Sequence, residues 1–281
     1  MKNIVYTVEK KEDGMLLREF LTRRGLSKTL IKKTKPGGLS VEGEIVTVRR
    51  VLKAGDEVNV RLPEASSEKI KAIDIPMRVV YEDEYLLVVD KPTNMPTHPS
   101  RGNSLPTLAN AVMSMQGESF VFRAVNRLDR DTSGLVLIAK DAHTANKLSQ
   151  SMKKHEFSKK YLALIDGIPQ KKQDTICAPI RRESEGSIKR IVADDGKPAI
   201  TEYNVLYSTD GKSMVEVILH TGRTHQIRVH MAHIGHPLTN DFLYGTRADE
   251  SYFLRCYELS FPHPTTSEII TICAENADFV N

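Results

Sequence analysis

The 281-residue chain is 40% hydrophobic and 27% charged, the ordinary mix of a globular protein, and no run in it reaches the ~18 apolar residues that a membrane-spanning helix needs. Cys177, Cys256 and Cys273 are widely spaced and form no C-x-x-C pair, which argues against a disulfide framework and against a thiolate zinc site. The first residues, MKNIVYTVEKKEDG, lack the apolar stretch of a signal peptide, so a cytoplasmic protein of about two domains is expected, with no membrane association.

The positive charge is unevenly placed. Residues 1–61 carry 14 Lys and Arg against 8 Asp and Glu, whereas the rest of the chain carries 26 against 28. From Phe20 to Val41 stand Arg23, Arg24, Lys28, Lys32, Lys33 and Lys35 with no acid among them. Such a run reads as a solvated face or as an electrostatic footprint for a phosphate backbone. Within the same stretch, Leu16, Leu17, Phe20 and Leu21 recur at helical spacing, and Gly25 is placed to end that helix. Ser27 is the expected cap of a second helix carrying Leu30 and Ile31, which Pro36-Gly37-Gly38 stops. Short strands are expected around LSV, IVTV and EVNVRL. This order of elements over residues 13–61 resembles the RNA-binding domain named after ribosomal protein S-four, which implies a small RNA-binding domain at 1–61 with Arg23, Arg24, Lys32 and Lys33 on RNA.

Residues 62–74, polar with a Pro and two serines, read as a linker to a larger domain at 75–281. RVVYEDEYLLVVDKP reads as two strands around an acidic turn, and SGLVLIAK as a buried strand. Asp141 should cap a helix in which Ala145, Leu148 and Met152 share a face, and KKYLALIDG should be a further strand. Alternating segments from Ile180 to His220 suggest antiparallel strands. THQIRVHMAHIG then reads as a helix capped by Thr224, with Ile227, Met231 and Ile234 inward and Gly235 as its stop. The expected class is α+β, a large and mostly antiparallel mixed sheet with flanking helices.

Chemistry concentrates in two places. NRLDRDTSG at 126–134 puts Arg127, Asp129, Arg130 and Asp131 on a polar loop entering an apolar strand, either an Arg–Asp turn network or a catalytic loop fixed by the strand. In HTGRTHQIRVHMAHIGHP at 220–237, Arg223, His225, Gln226 and Arg228 surround a helix N-terminus, where anions are favoured. Its histidines lack the spacing and the acidic partner of a zinc helix, so no metal is expected. Lys159 and Lys160 precede Tyr161 on a strand, where the ring could pack or could stack on a base.

NRLDRDTSG, the stretch GRTHQIRVH at 222–230, GHPL at 235–238 and D-x-x-YG at 241–245, together with KPTNMPTHPS and KKYLAL, resemble the RluA-type RNA pseudouridine synthases from about Val79 to Pro264. The resemblance implies an enzyme that detaches uracil from ribose and rejoins it through carbon five, with no cofactor and no metal. It implies that Asp129 is the catalytic carboxylate, Arg228 its ion-pair partner, Tyr161 the aromatic under the flipped base, and Arg127 a holder of the flipped nucleotide, with Arg223 and Gln226 as further base or RNA contacts. The expected partner is RNA, ribosomal ahead of transfer RNA, and the expected state a monomer. Asn126 departs from the family's usual His, and Arg255-Cys256 from its His-Ala. The alternative is a non-catalytic RNA-binding or chaperone protein on the same fold.

Overall fold

The computed structural model describes residues 3–34, 37–62, 70–99, 106–117, 120–245 and 252–274, so Lys35, Pro36, Ser100 and most of the expected linker lie outside the described residues. Two large hydrophobic cores organise the described residues, with two small clusters beside them. The first gathers Leu17, Phe20, Leu21, Leu26, Leu30, Ile31, Leu39, Val41, Val58 and Val60. Its elements are β1 (Asn3–Thr7), α1 (Leu17–Arg23), α2 (Lys28–Thr34), β2 (Leu39–Val41), β3 (Glu44–Ile45) and β4 (Glu57–Arg61), with the sheet in the order β1-β4-β2-β3. Gly25 takes a positive φ of 86° just past α1, and the Ser27 hydroxyl accepts the Leu30 N–H at 3.1 Å, as the spacing predicts. The IVTV strand is shorter than expected: only Glu44–Ile45 pairs.

The second core lies along a nine-stranded sheet in the order β5-β6-β7-β14-β8-β13-β12-β9, with β15 on β14. In chain order these are β5 (Arg78–Glu82), β6 (Leu86–Lys91), α3 (Leu108–Gln116), β7 (Ser133–Ala139), α4 (Ala142–Lys153), β8 (Ser158–Asp166), β9 (Gln173–Cys177), β10 (Ile180–Arg182), β11 (Arg190–Val192), β12 (Ile200–Thr209), β13 (Lys212–Leu219), α5 (Gln226–His233), β14 (Leu254–Pro262) and β15 (Ile269–Cys273). β10 and β11 form a separate two-stranded ribbon. Every pairing is antiparallel except β7 with β14, where Ser133 faces Arg255 and Gly134 faces Cys256. A late strand is thus inserted between two early ones, and this insertion builds the site.

Asp141 caps α4 as expected, accepting the N–H groups of His143 and Thr144 at 2.9 Å. The cap of α5 is not Thr224. The N-cap is His225, in the left-handed region with φ 58°, and no side chain caps the helix there. Its ring is turned instead toward the carboxylate of Asp129 and the hydroxyl of Tyr244.

Candidate active site

The loop before β7 is held at nearly every residue. Asn126, buried, donates its amide to the Leu135 carbonyl at 3.0 Å and accepts the Leu137 N–H at 2.8 Å, tying the loop's first residue to the strand that follows it. Thr97 brackets Leu128, donating to its carbonyl at 2.8 Å and accepting its N–H at 3.2 Å. The ammonium of Lys91, fully buried, donates to the carbonyls of Pro92, Met95 and Arg130 at 2.8, 2.7 and 3.1 Å. Burial pushes its pKa down to about 8. Arg130 forks onto Asp131 through Nε and Nη2 at 2.8 and 2.9 Å. The KPTNMPT stretch is therefore a brace for the loop, a role its sequence alone does not reveal.

The Asp129 side chain is the exception. It keeps 33% of its exposure, and among the described residues the imidazole Nε2 of His225 lies 3.9 Å from Oδ2. It lines a cavity of about 320 Å³ together with Arg127, Lys159, Tyr161, Arg223, His225 and Arg228, a volume at the low end of small-ligand pockets. Tyr161 comes from β8, buried, with its hydroxyl held well above the ordinary phenol range by burial and by the neighbouring Cys256 thiol. Cys256 stands opposite Tyr161 in the β8–β14 pairing, and Arg255 beside it bonds Asp90 at 2.6 Å. His225 is linked through Nδ1 to the Tyr244 hydroxyl at 2.8 Å, and that hydroxyl accepts the Arg190 N–H at 2.9 Å. Burial holds the His225 pKa below its usual value, with the Asp129 carboxylate pulling the other way.

Arg228 lines the same cavity, but its direct partner is not Asp129. Its Nε and Nη2 reach the two carboxylate oxygens of Asp241 at 2.7 and 2.6 Å, with both side chains buried. The rings of Tyr252, Tyr244 and Phe242 surround the guanidinium, 4.5, 5.0 and 5.6 Å from its central carbon. Asp241 in turn accepts the N–H groups of Leu243 and Tyr244 at 3.0 and 3.2 Å, so the pair is locked to the turn after α5. A buried bidentate carboxylate only 13 residues away outcompetes the more exposed Asp129 for this guanidinium, and Arg228 acts on Asp129 through space. The D-x-x-YG motif carries the signal that could have found this partner.

Gln226 also departs from expectation. Its side chain is buried and spent on Thr221, the Arg223 N–H, the Ile200 carbonyl and Thr201, at 2.9 to 3.0 Å, which fixes the start of α5 and leaves nothing for a base. Arg127 is exposed at the cavity, and Arg223 donates Nε to the Pro198 carbonyl at 2.9 Å. Arg223 also borders a second groove that carries Arg181, Arg182, Arg190 and Lys197. In the first module Arg23, Lys32 and Lys33 are exposed, whereas Arg24 is turned onto Glu12 at 2.8 Å and over the Phe20 ring at 5.1 Å. The histidines of α5 scatter: His230 is buried on Thr201 and the Ala178 carbonyl, while His233 is exposed. Among the described residues no group of three or more His, Cys, Asp or Glu is placed to hold a metal ion.

A half-exposed carboxylate and a buried tyrosine thus face one cavity, beside strands joined by a late central strand. The chain belongs to the RNA pseudouridylate synthase family, which it matches over residues 85–233. It is an RNA pseudouridine synthase of the RluA type, isomerising uridine in RNA to pseudouridine. It is 39% identical to the uncharacterized RNA pseudouridine synthase YjbO of Bacillus subtilis, over 90% of this chain and 93% of that protein. To the ribosomal large subunit pseudouridine synthase D of Pseudomonas aeruginosa it is 38% identical, over 76% of this chain and 67% of that one. The solved structure of human RNA pseudouridylate synthase domain containing 1 superposes with a TM-score of 0.60 at 28% identity, covering 73% of this chain and 86% of that chain.

Proposed function

We propose that Asp129 is the carboxylate that acts on the target nucleotide, that the uracil lies on Tyr161, and that the substrate is ribosomal RNA. The observation that carries the site is the contrast within one loop: Asn126, Leu128, Arg130 and Asp131 are tied down, while the Asp129 carboxylate stands open to the cavity. A rigid loop presenting one uncommitted carboxylate is preorganised for a reacting centre. Arg228, held by Asp241 and caged by three rings, supplies a fixed positive field beside it. The target base must leave its stack to reach this cavity, and exposed Arg127 at the rim suits the displaced strand's phosphates. Ribosomal RNA is supported by the relatives named for the large ribosomal subunit. Residues 1–61 form the RNA-gripping domain through Arg23, Lys32 and Lys33, and the enzyme works as a monomer in the cytoplasm.

Asp129→Asn removes the ionised carboxylate at nearly constant volume. Pseudouridine formation should fall below detection, while RNA affinity stays within about tenfold, roughly 1.4 kcal/mol. Turnover by the purified variant at a substantial fraction of the normal rate refutes the role of Asp129. Mapping pseudouridine in ribosomal and transfer RNA, from cells with and without the gene, tests the substrate class. Loss confined to transfer RNA refutes the ribosomal assignment.

A further inference from the structure

Lys159 lies two residues before Tyr161 on β8, and strand alternation puts both side chains on the face that lines the cavity. It is only 8% exposed. Among the described residues its ammonium has no hydrogen-bond acceptor and no carboxylate partner. Its neighbours are the Phe157 ring, 5.8 Å away, the Cys256 thiol, and Gly222, where an added Cβ would sit 3.8 Å from Nζ. Lys91, the other buried lysine of the site, has three carbonyls for its three protons, and Lys160 has Glu258 at 3.2 Å. Burial pushes the Lys159 pKa down. A largely buried ammonium that meets no protein acceptor keeps its protons free for a partner in the cavity. A ligand that brings acceptors into the cavity supplies that partner.

Uracil brings two carbonyl oxygens, O2 and O4. Lys159 and Tyr161 share one face of β8 and line the same cavity as Asp129. With the glycosidic bond at Asp129 and the ring on Tyr161, the far edge of the base runs toward Lys159. We propose that Lys159 is a catalytic residue that donates a hydrogen bond to a carbonyl oxygen of the uracil and stabilises the negative charge carried there while the base is detached. When the C1′–N1 bond breaks, its electron pair stays on the base and spreads onto O2 and O4. When C5 bonds to C1′, the C5 proton leaves and N1 gains one, so the isomerisation needs no other reactant. The ammonium matters most between these two bond changes, where the charge on oxygen is greatest.

This inference rests on the placement of uracil on Tyr161 beside Asp129. The probe is unmodified transcripts of ribosomal and transfer RNA from the protein's own source, made with uridine, 2-thiouridine or 4-thiouridine, and read by nucleoside analysis in single turnovers. Lys159→Met should bind the uridine transcript nearly as the unaltered protein does and turn over about tenfold to a hundredfold more slowly, the worth of a hydrogen bond to a charged group. Sulfur is a poor acceptor, so one of the two thio-substitutions should slow the unaltered enzyme by a similar factor and leave Lys159→Met no slower than it already is. A methionine variant that turns over normally overturns the proposal. So does an unaltered enzyme that converts both thiouridines at the uridine rate, a result that needs no variant to fold. Asp129→Asn run in parallel separates the two claims. If it is inactive while Lys159→Met is normal, only the lysine's role fails; if it is active, the site itself is misassigned.

Discussion

Asp241 contributes nothing to the cavity wall, yet it decides what Arg228 can do there. Removing one member of a buried ion pair leaves the other charge without a partner and costs about 3–5 kcal/mol. Asp241→Ala should therefore lower the unfolding free energy, read from urea denaturation, by that order, and it should also free the guanidinium to swing onto Asp129, so that turnover falls further than the lost stability explains. Comparing single-turnover rates with denaturation midpoints for Asp241→Ala and Asp241→Asn checks both parts. Asp129, Tyr161, Arg223 and Arg228, which the motifs single out, line one cavity, and each sits beside a strand or helix whose periodicity is plain in the sequence. The partner of Arg228 was not legible, since a carboxylate on a loop before β7 and one on a turn after α5 look alike until burial ranks them. The acceptor-less state of Lys159 was hidden for the same reason: spacing shows which residues share a face, not which of them find partners.

Among the elements, β7 and β14 meet in a contact that only glycine permits. Gly134 has φ +109°, and a Cβ there would lie 2.1 Å from the Cys256 carbonyl oxygen and 2.6 Å from its nitrogen. Gly134→Ala must either strain the backbone or part the two strands, a loss of about 3 kcal/mol or more, and it should move Cys256 away from Tyr161. Thermal melting measures the first effect, and the RNA-bound turnover rate the second. Strands β5 to β8 and helix α4 were legible because their apolar patterns are strong and Asp141 supplies a cap. β1 and α3 were not. NIVYT is an edge strand whose alternation is half-exposed, and it is ordered by pairing with β4 some 50 residues on. LANAVMSMQ is apolar on most sides, which leaves its helical period indistinct, and its capping box of Thr107 and Asn110 is what marks its start.

For the molecule as a whole, charge on the first module should act on affinity and not on chemistry. Each phosphate neutralised on single-stranded RNA adds about 0.7 to the slope of log affinity against log salt. Replacing Arg23, Lys32 and Lys33 by Gln should flatten that slope by up to about 2 and leave the rate at saturating RNA unchanged, whereas Arg24→Gln should act mainly on stability through Glu12 and Phe20. A salt titration beside single-turnover kinetics tests this, and an unchanged slope for the triple variant would reduce these cations to solvated surface. Acid should act on the fold. Burial lowers the pKa of His98, His225 and His230 below the ordinary 6.5. The unfolded chain thus takes up protons near pH 6.5 that the folded one refuses, and stability falls as pH drops below that value. Urea midpoints at pH 7.5 and 5.5 should differ in that direction, by less when His230 is replaced by Gln. The insertion of β14 between β7 and β8 also has a consequence for biosynthesis. The strands that carry Asp129's loop and Tyr161 are both made early, but the strand that joins them spans Leu254–Pro262. Until that stretch leaves the ribosome, the two sides of the cavity belong to unconnected sheet edges. A nascent chain that stops short of it therefore has no complete cavity.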